Sequence, residues 1–228
     1  MVKKGEVMAR EEHTIGSTEL EPRLKKIRNF SVITKRKADM DIKEGHIQFL
    51  RKINAVDNVL KVGEVAPVFS LVNQSGEMIS SAEFLKNGPL VISFQRGSWC
   101  PYCVEEVDIL NNIYPQITAA RSDLLVISPQ NQLGHPRVKF NMLLDQDNAL
   151  GKKFGLVYEL PQYLQKLYSL KFGNDIAKMN GTNVWELPMP ARFIIGQDGI
   201  ILSAQVDPDY RFRPEPLETV NFLKSIKE

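Results

Sequence analysis

The chain has 228 residues, 43% of them apolar and 25% charged, with a net charge of +2. That apolar content buries a sizeable core in one or two domains, and the near-neutral balance gives no reason to expect a nucleic acid or an acidic substrate. Its two cysteines neither staple a secreted disulfide-rich fold nor supply the four thiolates of a structural zinc.

Residues 1 to about 18 read as a flexible polar arm without the apolar stretch of a signal peptide. No run reaches the roughly 20 apolar residues of a membrane span, so a cytoplasmic protein with no membrane partner is expected. Leu20, Leu24, Ile27 and Ser31 then recur at helical spacing, beside Lys25, Lys26 and Arg28. Ile47, Leu50 and Ile53, with the neighbouring Phe49, mark a second helix. Residues 1–60 are therefore assigned to an arm and a helical extension, and residues 61–228 to the main domain.

Past Val62-Gly63-Glu64 the pattern becomes short strands alternating with helices. Residues 68–72 form a strand that ends in the turn residues Asn73–Gly76, and a short helix follows, capped by Ser80 or Ser81. Residues 89–94 are apolar enough for a central, buried strand. A long helix follows Cys100 to about Ala120, with Val104, Val107, Leu110 and Ile113 on its apolar face and Pro115 expected to kink or end it. Residues 124–128 and 142–144 read as strands, and 147–155 and 158–171 as helices. Strands at 192–195 and 200–204 flank the turn Gln197-Asp198-Gly199, a hairpin with glycine where positive φ is needed. A last helix covers about 215–226. This order is that of an α/β layer fold.

The chemistry lies in Cys100-Pro101-Tyr102-Cys103, between a buried strand and a helix. The thiolate is the reactive form of cysteine, and a helix N-terminus stabilises it through partial positive charge and unpaired N–H groups. Pro101 suits the first helical position, where its missing N–H costs nothing. Cys103 lies one turn on, placed to resolve a mixed disulfide or a sulfenic acid formed on Cys100. Arg96 adds positive charge, and Trp99 and Tyr102 supply flat apolar surface for a substrate. A pair of inert buried cysteines is the competing reading. No metal site is expected, because His13, His46 and His135 lack ligand spacing. A binding module is the reading from another class. It rests on the basic stretch from Arg23 to Lys37, which is otherwise a solvated helix face.

At these residues the chain resembles the peroxiredoxin-like proteins of the alkyl hydroperoxide reductase / thiol-specific antioxidant (redoxin) family. The landmarks are Lys61-Val62-Gly63 through Ala66-Pro67-Val68-Phe69, Arg96 through Cys103, Ile127-Ser128-Pro129-Gln130, Phe154-Gly155-Leu156, Trp185 through Ala191, and Asp207 through Arg211. The resemblance implies a thioredoxin-like fold with a central mixed sheet flanked by helices. It implies an antioxidant oxidoreductase that needs no cofactor and is recycled by an external thioredoxin- or glutathione-type thiol. It also implies that Pro190 is a cis-proline facing the dithiol, with the backbone of Met189 pairing with a substrate peptide. Two positions depart from the family: Gly97 stands where a threonine or serine is usual, and Pro190 where an arginine is usual. Arg96 and Ser98 are the groups left to take over their work on a peroxide. The departures favour disulfide reduction through a mixed disulfide on Cys100, with reduction of a hydroperoxide through a Cys100 sulfenic acid as the alternative. The extension is expected to pack on the core or to mediate a homodimer.

Overall fold

The structure is a computed structural model describing residues 18–131 and 138–226. His13, His135 and most of the N-terminal arm lie outside the described residues. Two helices come first, α1 (Glu21–Thr34) and α2 (Lys37–Lys52), then the strands β1 (Ser70–Val72) and β2 (Met78–Ser80) and a short helix α3 (Ser81–Leu85). Strand β3 (Leu90–Phe94), the long helix α4 (Pro101–Ala119), β4 (Asp123–Ser128) and β5 (Asn141–Leu144) follow. Next are α5 (Ala149–Lys153), β6 (Val157–Glu159), α6 (Gln162–Lys166) with a π-helical turn over Leu167–Lys171, and α7 (Ile176–Met179). The chain ends with β7 (Glu186–Pro188), β8 (Ala191–Ile195), β9 (Ile201–Val206) and α8 (Pro216–Ser225).

Five strands form a mixed sheet in the order β5-β4-β3-β8-β9. Strand β3 runs parallel to β4, as β4 does to β5, while β8 lies antiparallel to both β3 and β9. All five residues of β3 and of β8 are buried, as largely apolar strands in a sheet covered on both faces are, with Ser93 and Arg192 the polar exceptions. This is the thioredoxin-like architecture that the sequence implied. One face carries α1, α4 and α8, packed through Leu24, Leu110, Ile113 and Leu223. The other is filled around Phe94, Phe154 and Phe193, whose ring centroids lie 4.9–6.1 Å apart. The β8–β9 hairpin turns at Gly199, whose φ of +81° suits glycine.

The extension is fixed to this core. Leu20, Leu24 and Ser31 are buried as their spacing predicts. Arg23 reaches Glu105 and Asp108 of α4 at 3.0 and 2.6 Å, and the Leu20 N–H donates to Glu215 at 2.9 Å. The basic stretch is thus largely engaged with carboxylates: Arg28 pairs with Glu21, Arg36 with Asp39 and Lys37 with Asp41. On α2, Ile47 and Leu50 are buried, but Phe49 and Ile53 are exposed.

Three expectations are corrected. The helix expected over 158–171 begins only at Gln162, because Val157–Glu159 pairs antiparallel with Glu186–Pro188. The Leu160 N–H continues that ladder to the Trp185 carbonyl at 2.7 Å. Pro115 does not end α4, which runs on to Ala119; the buried side chains of Ile113 and Ile117 hold both sides of the proline on the sheet. Strand β2 was not foreseen, and it pairs with β1 across the Asn73–Gly76 turn. Among the described residues no helix is long and apolar enough to cross a membrane.

Candidate active site

Strand β3 delivers the chain to the site, and the loop Gln95–Trp99 turns it into α4. The turn is tight at Gly97, whose φ is +137°; a Cβ there would lie 2.5 Å from Gln130 Oε1 and 2.6 Å from Trp99 Nε1. The missing threonine or serine is therefore a steric requirement of this loop. Ser98 does not take its place at the sulfur, because its backbone N–H and hydroxyl both donate to Gln130 Oε1, at 2.7 and 3.1 Å.

Cys100 is the N-cap of α4, in extended conformation, with Pro101 at the first helical position as expected. Both sulfurs are unpaired thiols and both cysteines are buried, Cys100 to 1% exposure. Burial alone would push the Cys100 thiol up. A hydrogen bond from the Cys103 thiol, the charges of Arg96 and Arg213, and the Cys103 backbone N–H overturn this and hold it well below the ordinary range. Cys103 is pushed the other way by burial, by its bond to Cys100 and by the charge on Cys100, against the pull of Arg213 and Arg96. The dithiol is thus polarised, with Cys100 the thiolate and Cys103 the thiol that donates to it.

Arg96 lies beside the Cys100 sulfur. Its Nη1 lies 4.0 Å from Cys100 Sγ and its Nη2 donates to Tyr168 Oη at 2.7 Å. Its guanidinium carbon stands 4.1 Å from the Tyr210 ring centroid and 4.8 Å from that of Trp99, so an aromatic cage fixes the cation. The Arg96 backbone N–H donates to Cys103 Sγ at 3.4 Å.

Sequence reasoning missed a second layer. Arg213 Nη2 donates to Cys103 Sγ at 3.4 Å. Arg213 and Arg192 both pair with Glu106, and Arg192 also donates to Thr219 Oγ1 at 3.1 Å. Two buried guanidiniums therefore share a single buried carboxylate, Arg96 adds a third buried cation beside the sulfurs, and the Cys100 thiolate is the anion that offsets part of the surplus. The signals were present: Arg192 interrupts an apolar strand, and Glu106 falls on the buried face of α4, three residues after Cys103.

Pro190 and Met189 do not take the places expected of them. Among the described residues no peptide bond is cis, so Pro190 is trans. The Met189 N–H is already committed to the Leu156 carbonyl at 2.9 Å, and its side chain is buried in the sheet core. The edge that would receive a substrate peptide is closed by the β6–β7 pairing. Pro190 instead lines a groove with Arg213, so that a guanidinium enters the site beside the position where the family usually carries one.

Access to Cys100 is through a pocket of about 280 Å³. Its floor is Cys100, Arg96 and Trp99, with Tyr102 close by, and its roof includes Lys35 and Lys43 from the extension. Pro101 lines the rim and is itself exposed. Among the described residues no cluster of three or more His, Cys, Asp or Glu side chains could hold a metal, and His46 Nδ1 is engaged with Tyr163 Oη at 3.0 Å.

Comparison with known proteins agrees with this architecture. Residues 62–204 match the model of the AhpC/TSA family. A putative peroxiredoxin bcp from Coxiella burnetii is 26% identical over 113 residues, covering 47% of this chain and 74% of that protein. The thiol-disulfide oxidoreductase ResA of Bacillus thuringiensis is 26% identical over 145 residues, covering 63% and 68%. The crystal structure of the peroxidoxin BcpB from Mycobacterium tuberculosis superposes with a TM-score of 0.57 at 17% identity, over 74% of this chain and 99% of that one.

Proposed function

Because this chain belongs to the AhpC/TSA family, whose members here are oxidoreductases acting on peroxides or on thiols and disulfides, we propose that it is a thiol peroxidase for small hydroperoxides. Cys100 is the peroxidatic cysteine and Cys103 the resolving one. The observation that carries this reading is the enclosure of the Cys100 thiolate beside Arg96 at the floor of a small pocket. A protein disulfide has neither room to reach the sulfur nor a free Met189 N–H to dock on. This enclosure supports a hydroperoxide over the disulfide substrate that Gly97 and Pro190 favoured.

In the first step the Cys100 thiolate attacks the terminal oxygen of the hydroperoxide. The S–O bond forms as the O–O bond breaks, and the alkoxide leaves as an alcohol after taking a proton. Charge grows on the departing oxygen, and Arg96 is the fixed donor that offsets it. Cys100 is now a neutral sulfenic acid. Two of the causes that kept Cys103 protonated, its bond to the thiolate and the thiolate's charge, are gone, while Arg213 and Arg96 still favour its anion. The Cys103 thiolate attacks the Cys100 sulfur, the S–O bond breaks, and water leaves with the Cys103 proton. An external thiol reductant, a dithiol of thioredoxin type or two glutathione-type monothiols, reduces the disulfide in a reducing, cytoplasmic setting.

A second reading, reduction of a low-molecular-weight disulfide in the same pocket, draws on the Cys-x-x-Cys spacing and on the similarity to a thiol-disulfide oxidoreductase. Stopped-flow mixing of the reduced protein with cumene hydroperoxide separates the two. Rapid oxidation of one thiol is expected, with a sulfenic acid accumulating in Cys103→Ser and trapped by dimedone. A rate no better than that of a free small thiol would refute the peroxidase reading.

A further inference from the structure

The roof of the pocket is made by residues outside the 62–204 span of the family match, and its two lysines have no carboxylate partner among the described residues. Lys43 Nζ on α2 lies 4.4 Å from the Phe172 ring centroid, and Lys35 Nζ, at the end of α1, lies 4.9 Å from the same ring. Two like charges thus share one aromatic ring. Lys43 also stands over Tyr168 and Tyr210, 5.7 and 6.0 Å from their centroids, the same two rings that Arg96 contacts. Lys35, Lys43, Arg96 and Arg211 all line the cavity, and no aspartate or glutamate does. Of the four, only Arg211 has carboxylate partners among the described residues, Asp209 at 2.6 Å and Glu44 at 2.7 Å. Lys43 is mostly desolvated and its ammonium is pushed down to about 7, by burial first and then by Lys35 and Arg96. The Cys100 thiolate lies beside Arg96 in this cluster, and no carboxylate among the described residues lines the cavity with Lys35 and Lys43.

We propose that Lys43 and Lys35 bind the carboxylate of a small, partly aromatic or aliphatic substrate, whose apolar body lies on Phe172, Tyr168 and Tyr210 with its reactive end toward Cys100. A volume of about 280 Å³ sits at the small end of ligand pockets, which holds a single compact molecule and excludes a peptide. Flat apolar walls beneath paired cations suit a carboxylate on a hydrocarbon body, with the aromatic rings keeping the ammonium groups in place. The extension thereby sets specificity for a reaction performed by the core. The proposal rests on the peroxidase reading for its reactive end and on the pocket alone for its charge selectivity.

The test uses full-length reduced protein and two hydroperoxides matched in shape, cumene hydroperoxide and its 4-carboxy analogue. The carboxylated compound should have a kcat/KM about tenfold or more higher, the scale of one charge-assisted bond in a partly buried site. Lys43→Met should bring the ratio of the two kcat/KM values close to one, and Lys43→Arg should retain the preference. In parallel, 4-isopropylbenzoate, which has no peroxide group, is titrated calorimetrically. Saturable binding that weakens in Lys43→Met and in Lys35→Met supports the proposal whatever the chemistry at Cys100. Equal kcat/KM values with no detectable benzoate binding would overturn it. Oxidation of Cys100 by neither hydroperoxide, with benzoate still bound, would overturn the peroxidase reading and leave the carboxylate site standing.

Discussion

Replacing Arg96 by methionine removes the cation nearest the attacking sulfur while keeping most of the volume between Trp99 and Tyr210. At 4.0 Å, a unit charge pair is worth about 4 kcal/mol at the effective dielectric of about 20 that suits protein sites. Arg96 is buried on all sides, so little of that is lost to solvent screening, but Arg213 and the helix N-terminus remain to hold part of the charge. The loss of one preorganised donor at a developing anion typically slows the chemical step by about 10²–10³-fold. The expected result is therefore a fall of that size in the second-order rate with cumene hydroperoxide, and an upward shift of the Cys100 titration followed by ultraviolet thiolate absorbance. Arg96→Lys should recover only part of the rate, since an ammonium cannot face the sulfur and Tyr168 together as the guanidinium does. Circular dichroism and thermal melts control for folding. An Arg96→Met protein that folds, titrates at the same pH and reacts at the wild-type rate would refute the electrostatic account of Cys100.

Other outcomes follow from the same geometry. Glu106→Gln leaves Arg192 and Arg213 without their carboxylate and should cost about 3–5 kcal/mol of stability in denaturant melts, as removing one member of a buried ion pair does; a change under 1 kcal/mol would show that the network carries little. Gly97→Ala must relieve a contact of 2.5 Å with Gln130 at a φ of +137°, and should destabilise by roughly 1–3 kcal/mol while disturbing the loop that sets Cys100. A variant with wild-type stability and rate would contradict the steric explanation for the missing hydroxyl. For the anionic substrate, kcat/KM should decline as pH rises through about 7, because Lys43 loses its proton there. Arg96 and Arg211 stay charged across that range, and Lys35, His46, Cys100, Tyr102, Tyr158, Tyr168 and Tyr210 are the other ionisable side chains lining the cavities around Lys43. Dividing by the profile for neutral cumene hydroperoxide isolates the lysine, and a flat ratio from pH 6 to about 8.5 would count against it.

How much of this was legible in the sequence varied with the range of the interactions. The strand Leu90–Phe94, the helix beginning at Pro101 and the hairpin at Gly199 followed from local patterns, because burial, a helix cap and a turn each leave a local trace. Cys100 and Cys103 were legible for the same reason. The partners of the sulfurs were not. Arg213 lies 110 residues from Cys103, and no periodicity joins a loop before the last helix to the start of α4. The expectation for Pro190 failed through tertiary context: the dipeptide is what the family comparison led one to expect, but the Leu156–Glu159 segment occupies the backbone edge beside it. Residues 158–159 failed in the same way, since a helix-like apolar spacing yielded to a cross-strand ladder. Lys43 gave no signal because a lysine on an amphipathic helix is ordinary until the surface beneath it is known.

The excess of guanidinium over carboxylate around the two sulfurs has an energetic corollary for the electron-transfer couple. Joining Cys100 and Cys103 in a disulfide discharges the thiolate, leaving Arg192 and Arg213 to share Glu106 and Arg96 without the anion beside it. The oxidised protein is then the less comfortable electrostatic state. Stabilising the reduced form makes a disulfide more oxidising, so the couple is poised to accept electrons readily. The arginines that hold the Cys100 thiol below its ordinary range therefore also favour the reduced dithiol over the disulfide, which on the proposed peroxidase cycle would ease recovery by a thiol donor.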